Sequence, residues 1–478
     1  MSATIATLSH SIRRKLSCVV AMWLFLCTLT AQNNKIEIRE IYVTGLKRTL
    51  PNTILREVYF HSGDSLELQA LPEIFQFVKT RILSTGLAVD LKINMKQWNV
   101  EKAYTDIEIA VKEAHYFYPI PSVQLADRNF NIWFNEQKAS LSRINLGLNN
   151  YWLNPTGRAE VYQIGLLTGY TNRIDVNFYH PALNTSRTIG LKLGANYSNS
   201  KEIGYQTTAD RLVFKKLSKP ALTKAKIYLG LVYRPKTYAT HQLQGIYQQF
   251  TIADSIAQSY NSDFLGLSAT KLDFFSLRYA WDFDLRNLKV FATKGYMLSG
   301  YVQKDGILRR EALNRITIGL GYEQYWSLSR RTFLDIKNKF QVNHYYNSRI
   351  PYITNRGLGY EKDYLRGYEY YVIDGQNYVY SKVNLKYLFY EKAINLGKMM
   401  PFHKLRTMPL QLFWSLYNDL GYVDNRIAIK TNQLQNRFLY GFGTGMNILL
   451  YNNKLIQIEW SWNHLFEKSL FLHYDIGF

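Results

Sequence analysis

Short segments of alternating apolar and polar residues recur from about residue 117 to the end of the chain. Residues 189–197 alternate Ile, Leu, Leu, Ala and Tyr with Gly, Lys, Gly and Asn, and residues 227–233 and 456–463 show the same period of two. One apolar and one polar face per segment is typical of a membrane-spanning β-barrel strand. A soluble β-sandwich would also alternate, but its apolar faces would not end so regularly in Tyr and Trp. At roughly 22 residues per strand with its turn or loop, residues 117–478 allow about sixteen antiparallel strands.

The pattern over residues 32–116 differs and predicts a small separate α+β domain. Residues 35–45 are typical of an opening strand, and a short helix with proline in its first turn follows. Apolar residues at three- and four-residue steps over 71–82 predict a second helix, which a glycine ends. Two alternating strands come next, around residues 87–95 and 107–111. The predicted fold class is therefore mainly β, with an α+β domain before a barrel.

The start of the chain predicts secretion. Three basic residues at 13–15 precede an apolar stretch too short to span a bilayer comfortably, so residues 1–31 are typical of a cleaved signal peptide. A lipoprotein anchor on Cys27 is the competing interpretation, although Leu26 is bulky where a small residue is needed. Cys18 and Cys27 are the two cysteines of the chain, so the mature protein is expected to have no thiol or disulfide.

Composition supports a barrel in an outer membrane. The chain has 38 tyrosines, and outer-membrane barrels place aromatic residues in girdles at both interfaces. The net charge of +22 would suggest nucleic acid in a cytosolic protein, but secretion removes that partner, and we expect no nucleic-acid binding. We interpret the excess positive charge as solvated side chains on the loops and in the lumen of the barrel. These side chains would also attract anionic lipid head groups.

Enzymatic and cofactor chemistry is not predicted. The segment GFGTG at 441–445 superficially suggests a dinucleotide loop, but no helical pattern follows it, and small residues on a barrel strand explain it better. Histidines such as His180, His344, His403 and His464 lack ligand spacing, so no metal site and no cofactor are expected. A lipase-type Ser and His arrangement scattered over strands stays open, although no local motif supports it.

The last ten residues, SLFLHYDIGF, form an alternating strand whose apolar face ends in an aromatic residue at the C-terminus. A terminal aromatic on such a strand resembles the signal by which outer-membrane barrels are recognised for insertion. The residues predicted to carry this signal are Tyr474, Ile476 and Phe478.

Three further segments and the order of domains carry a resemblance. LRGY at 365–368 resembles a barrel-loop arginine motif, YNDLGYVD at 417–424 an aromatic-x-Asp strand motif, and residues 282–296 an Asp-Arg-Thr-Gly signature. With a signal peptide, a POTRA-like domain and a C-terminal barrel, the chain resembles the superfamily of Bam- and Tam-type assembly factors and two-partner secretion transporters. The motif residues are Leu365, Arg366, Gly367, Tyr368, Tyr417, Asp419, Gly421, Asp282, Arg286, Thr293 and Gly295. Leu365 departs from the commoner valine, and only one POTRA-like unit fits before the barrel.

Leu410, Leu412, Trp414 and Leu416 form a lipid-type face, which predicts that Tyr417 and Asp419 face the lumen. The resemblance implies that the arginine loop folds into the lumen and brings Arg366 to Asp419, with Gly367 permitting a tight backbone and neighbouring tyrosines packing the guanidinium. The alternative is an exposed loop arginine that touches lipid head groups.

The resemblance also implies a function and partners. It implies a non-enzymatic integral outer-membrane protein, with its N-terminal domain in the periplasm, that assists insertion or translocation of polypeptides. Unfolded outer-membrane or secreted clients would add to an exposed POTRA edge, which is the strand around residues 107–111 provided that this strand is the exposed one, and the seam between the first and last barrel strands would open. Membrane lipids, including anionic head groups, and accessory envelope proteins are the other partners. The alternative function is a passive outer-membrane diffusion channel with a periplasmic accessory domain.

Overall fold

The computed structural model describes residues 35–99, 101–184, 186–347, 349–400, 406–427, 429–451 and 453–476. The predicted signal peptide (1–31) and Phe478 lie outside these residues. The chain forms two compact units. The first contains Lys35–Thr44 with Phe60–Phe77 and Lys92–Ala110, and the second contains Gly45–Tyr59, Val78–Leu91 and the described residues from Val111 onward. The domain boundary at 116/117 stays a prediction.

The N-terminal elements follow the predicted order of strand, helix, helix, strand, strand. They are β1 (Lys35–Thr44), α1 (Pro51–Leu55), β2 (Ser65–Glu67), α2 (Leu71–Ser84), β3 (Ala88–Asn99) and β4 (Tyr104–Glu113), with a 3-10 turn at Leu68–Ala70. The three-residue β2 was not predicted. The sheet has the order β2-β1-β4-β3, in which β1 runs parallel to β4 and antiparallel to β2.

The order of this sheet corrects one expectation. Ile107 and Ile109 on β4 are buried, and β4 lies between β1 and β3. The strand expected to offer an exposed edge to clients is therefore interior, because a strand with both neighbours in place has its ladder groups already paired. The edges of the sheet are the short β2 and the twelve-residue β3.

Sixteen strands form one antiparallel sheet, which agrees with the number that the length of residues 117–478 predicts. They are β5 (Phe117–Leu125), β6 (Ile144–Leu153), β7 (Val161–Gly169), β8 (Thr171–His180), β9 (Ile189–Ser200), β12 (Leu222–Lys236), β13 (Ala239–Ile252), β14 (Lys271–Asp284), β15 (Gly295–Asp305), β16 (Arg315–Ser327), β17 (Thr332–Tyr345), β18 (Asn377–Asn395), β19 (Thr407–Asp424), β20 (Phe438–Leu450), β21 (Lys454–Asn463) and β22 (Lys468–Ile476). Each strand pairs with the next in this series, and β10 (Glu202–Thr208) and β11 (Arg211–Lys216) form a separate hairpin between β9 and β12.

The two faces of the barrel wall differ as the sequence predicts. On β12, Leu229 and Leu231 are about half exposed on the outer surface, whereas Val232 is buried. On β19, Trp414 and Leu416 are exposed, and Ser415 between them is buried. This outer apolar surface is the one expected of strands that face lipid. Among the described residues, no helix is long and apolar enough to cross a bilayer.

The two ends of the barrel also differ. We call the end where β5 begins and β22 ends the proximal end, and the opposite one the distal end. The distal end carries a buried apolar cluster that the alternation did not predict. It is formed by Ile203, Ala221, Ile252, Ile256, Ala257, Phe264, Leu265, Leu272, Phe274, Leu313 and Ile353. Four of its members come from the segment between β13 and β14, which has a π-helical turn at Ile256–Tyr260, and Ile203 comes from the β10–β11 hairpin. We call this the distal cap.

Candidate functional site

The loop between β17 and β18, residues 346–376, folds back into the lumen. We call it the arginine loop because it carries Arg366. Arg366 on this loop and Asp419 on β19 are 7% and 0% exposed. The backbone N–H of Arg366 donates to Oδ2 of Asp419 at 3.0 Å, and its Nε lies 3.1 and 3.0 Å from Oδ1 and Oδ2. Its Nη2 also donates to Oδ1. Arg366 is therefore one half of a buried ion pair, and it does not lie on the surface of the barrel.

A second set of polar side chains on the barrel wall completes the coordination of Arg366. Its Nη1 donates to Oδ1 of Asn384 at 2.5 Å and lies 3.5 Å from Oε1 of Glu459. Asn384 in turn donates to Asp335, which is paired with Lys386. No sequence motif marks these wall residues, although Glu459 lies on the polar face predicted for 456–463.

The guanidinium plane packs on an aromatic ring, as expected, but the ring comes from the wall. Arg366 Cζ lies 3.9 Å from the ring centroid of Tyr417 on β19, and the Tyr417 hydroxyl is 2.7 Å from Ser461 Oγ. Such a cation–π contact between desolvated groups adds to the ion pair. The expected packing by tyrosines neighbouring Arg366 in the loop is thus replaced by packing on Tyr417.

Small residues let the loop approach the wall closely. Gly367 has φ +88°, a backbone conformation that L side chains rarely adopt, and Asn463 donates to its carbonyl at 2.8 Å. A Cβ on Gly441 of β20 would lie 2.1 Å from the Arg366 carbonyl oxygen, and one on Gly421 would lie 2.6 Å from the Leu365 side chain. The GFGTG segment is therefore part of strand β20, and its first glycine makes room for the arginine loop.

The remaining residues of the LRGY motif are anchored as well. Leu365 and Tyr368 are almost fully buried. The Tyr368 hydroxyl donates to the Tyr440 carbonyl at 2.9 Å and also contacts Nδ1 of His464. All four motif residues therefore have partners on the barrel wall.

The Asp-Arg-Thr-Gly signature occupies the proximal turn between β14 and β15. Arg286 pairs with Asp284 through two bonds of 2.9 Å and with Glu323 at 2.8 Å. In the described part of the chain, Asp282 of the signature lies on β14 and makes no ion pair with Arg286. Thr293 accepts a hydrogen bond from Asn287 at 2.8 Å within the same turn.

This proximal turn also reaches into the lumen. Gly295 has φ +102° where the turn meets β15. Phe291 at the tip of the turn packs on Phe413 with ring centroids 4.9 Å apart, and Lys386 Nζ lies 4.1 Å from the Phe291 ring. The signature therefore approaches the wall residues around Arg366 from the proximal side.

A segment that the sequence analysis missed holds the arginine loop from the other side. After β5, Arg128 donates to the carbonyls of Gly359 and Tyr371, both at 2.7 Å, and Asn129 donates to the Glu369 carbonyl at 2.7 Å. Because these partners of Arg128 are neutral, burial lowers its pKa to about 10. No short motif marks this segment, and its polar residues look like an ordinary loop.

The seam between the first and last strands lies beside these contacts. The sixteen-stranded order begins at β22 and ends at β5, and no ladder pair joins these two strands among the described residues. Asn131, which follows β5, donates to the backbone carbonyl of Leu470 on β22. Of the predicted C-terminal signal, Tyr474 is exposed on β22, Ile476 ends the strand, and Phe478 lies outside the described residues.

Comparison with known proteins supports the fold. The sequence matches no family model and no curated protein. Its structure is similar to BamA from Haemophilus ducreyi lacking POTRA domains 1–3, with 13% sequence identity and a TM-score of 0.54 over 92% of this chain and 84% of that one. CdiB from Acinetobacter baumannii (11% identity, 93% and 74% covered, TM-score 0.47) and CdiB from Escherichia coli (9%, 94% and 91%, 0.47) are also similar. The BamA comparison establishes that the two proteins share a fold.

Proposed function

We propose that this chain, which has the fold of BamA, is an outer-membrane barrel that assists the insertion or translocation of other polypeptides. Its N-terminal α+β sheet lies in the periplasm in this proposal, and unfolded outer-membrane or secreted polypeptides are its clients. The observation that carries the proposal is the seam of the barrel, where β5 and β22 are not joined by a ladder among the described residues.

The sequence of β5 gives this seam a physical basis. All nine residues of β5 pair with β6, including Pro119 and Pro121. In an antiparallel pair, only alternate residues of a strand direct their N–H groups to a given neighbour. Proline has no N–H, so the continuous ladder between β5 and β6 must use the residues on either side of each proline. Both proline nitrogens therefore face the free edge of β5. That edge lacks two donors that a closed barrel would use. Pairing of β5 with β22 is thereby weakened, and a client strand meets less competition there.

The arginine loop contributes a fixed inner wall beside the seam. It is held by Asp419 on β19 and by Arg128 after β5, so it contacts both halves of the barrel. With the loop in place, the lumen cavity around Arg366 measures about 170 Å³. A passive diffusion channel would need a continuous water path through the lumen, and a loop anchored inside the lumen at Asp419 does not favour one.

Capture of clients belongs to the N-terminal sheet in this proposal. The edge strand β3 offers twelve residues for strand addition, whereas β2 offers three. Backbone hydrogen bonds along an edge give affinity with little demand on client sequence. The exposed β3 is therefore the proposed capture edge, in place of the interior β4.

Locking the seam tests the proposal. Asn131→Cys and Leu470→Cys place thiols on the segment after β5 and on β22, in a chain whose two natural cysteines lie at 18 and 27. A short bifunctional thiol reagent should then abolish client insertion or secretion in cells. The matched control joins Leu193 and Leu229, which already pair within the wall, and should not affect activity. Full activity with a crosslinked seam would overturn the proposal.

A further inference from the structure

Three side chains with metal-ligand chemistry converge in the lumen near the seam. Glu369 comes from the arginine loop, Glu459 from β21 and His473 from β22. Nε2 of His473 lies 3.0 Å from Oε2 of Glu369 and 3.5 Å from Oε2 of Glu459. One ligand atom from each residue lies within 4.8 Å of the other two.

The ligand atoms of Glu369 and His473 are buried and lack hydrogen-bond partners among the described residues. Glu369 is 3% exposed, and neither of its carboxylate oxygens accepts a hydrogen bond from that part of the chain. Nε2 of His473 makes no hydrogen bond in this part of the chain either. It lies close to Oε2 of Glu369, but the angle between them does not fit a hydrogen bond. A buried carboxylate without a donor is costly, so this group calls for a cation.

The neighbouring charges leave room for that cation. Arg366 uses Oε1 of Glu459, at 3.5 Å, so Oε2 stays directed toward His473. Lys382 lies 3.9 Å from Asp419, and Tyr364 stacks on the His473 ring at 5.4 Å. The lumen therefore contains three carboxylates against two fixed cations here, with a histidine ring held in place by stacking.

We propose that Glu369, Glu459 and His473 bind one divalent transition-metal ion of the Zn²⁺ type. Zn²⁺ takes imidazole and carboxylate ligands at about 2.0–2.2 Å, which places tetrahedral ligand atoms about 3.4 Å from one another. The observed separations of 3.0 and 3.5 Å are close to this value. Ca²⁺ and Mg²⁺ prefer oxygen ligands, so an imidazole in the set disfavours them.

Such an ion would join the arginine loop to the last two strands of the barrel. If the proposed function holds, it would oppose movement of β22 at the seam and so regulate opening. Metal binding itself does not depend on that function and is measured without any client.

Zinc titration of the purified full chain in detergent, after treatment with a chelator, tests the site. We expect one Zn²⁺ per chain, and a loss of affinity of at least about 100-fold in His473→Ala and in Glu369→Gln, since loss of even a second-shell partner costs about 10–100-fold. His344→Ala removes an exposed histidine from β17 and should bind like the wild type. Heat-modifiable mobility on gels shows whether each variant has a folded barrel. If His473→Ala does not fold, the zinc affinity of Glu369→Gln alone tests the site.

Hydrogen exchange of the loop gives a second readout. At a Zn²⁺ concentration of 100 times Kd, exchange of the amides around Glu369 should slow by about 100-fold in the wild type and stay unchanged in Glu369→Gln. Absence of zinc binding, binding unaffected by both substitutions, or unchanged exchange in the zinc-bound wild type would each overturn the proposal. None of these outcomes bears on client insertion, so failure here is distinct from failure of the proposed function.

Discussion

Replacing Asp419 with alanine is expected to release the arginine loop from the lumen wall while the barrel stays folded and inserted. Asp419 bonds both the backbone and the side chain of Arg366, so one substitution removes the main attachment of the loop. Arg366→Ala should have the same effect. In both variants, client insertion or secretion should fall.

The structure sets the size of this effect. Arg366 and Asp419 are 7% and 0% exposed, and removing one partner of a buried ion pair costs about 3–5 kcal/mol. In Asp419→Ala, Arg366 retains Asn384 at 2.5 Å and Glu459 at 3.5 Å, which favours the lower part of the range. Because about 1.4 kcal/mol corresponds to a factor of ten, about 3 kcal/mol raises the population of released loop at least about 100-fold.

Trypsin provides a direct assay, because Arg366 is itself a cleavage site. Lys362 in the same loop is exposed and serves as the internal reference. Cleavage after Arg366, relative to Lys362, should rise about 100-fold in Asp419→Ala. The matched control is Asp263→Ala, which breaks an exposed pair with Arg349 at 3.8 Å and should cost under about 1 kcal/mol.

Charge reversal checks the pairing itself. Arg366→Asp combined with Asp419→Arg should recover part of the lost function, and only part, because Glu459 stays close to the new carboxylate at 366. Wild-type cleavage after Arg366 as fast as after Lys362, or a double variant no better than the worse single variant, would refute the reasoning.

Three further predictions concern other parts of the chain. The backbone N–H groups of Lys92 and Ile93 on β3 point to opposite edges of the strand, so replacing one of the two with proline removes a donor from the free edge. That variant should show weaker client crosslinking. Unchanged crosslinking in both folded variants would exclude β3 as the capture edge. Phe478→Ala should lower the amount of heat-modifiable barrel in the membrane, and unchanged levels would contradict the terminal-signal hypothesis. Burial raises the pKa of Asp374, beside Tyr360 in the distal loops, from 3.8 to about 6. The raised pKa stabilises the folded protein by roughly 3 kcal/mol below about pH 4, and this stability is lost as the pH rises through about 6. The amount by which the Tm at pH 4.5 exceeds the Tm at pH 7.5 should therefore be smaller in Asp374→Asn.

The sequence predicted the elements that follow from local periodicity. Sixteen alternating strands and the two N-terminal helices are patterns of period two and of three to four residues, and each depends on neighbours close in the chain. The lumen position of Asp419 follows from the same alternation on β19. Its partner came from the resemblance of the LRGY loop and not from periodicity.

Features that depend on distant parts of the chain were missed or wrongly predicted. The order of the N-terminal sheet places β4 inside and β3 at the edge, which no local pattern encodes. The distal cap takes residues such as Phe264 and Leu313 from segments without periodicity. Glu369 and His473 lie about a hundred residues apart in sequence, so metal-ligand spacing could not indicate their approach.

Depletion of the protein followed by quantitative proteomics of the outer membrane tests the central claim most directly. Cells that express Asp419→Ala in place of the wild type serve as the matched comparison, since that barrel stays inserted. The account predicts that a defined set of outer-membrane or secreted polypeptides is lost on depletion and is not restored by this variant. An unchanged set of polypeptides together with reduced uptake of small solutes would contradict it and favour a passive channel.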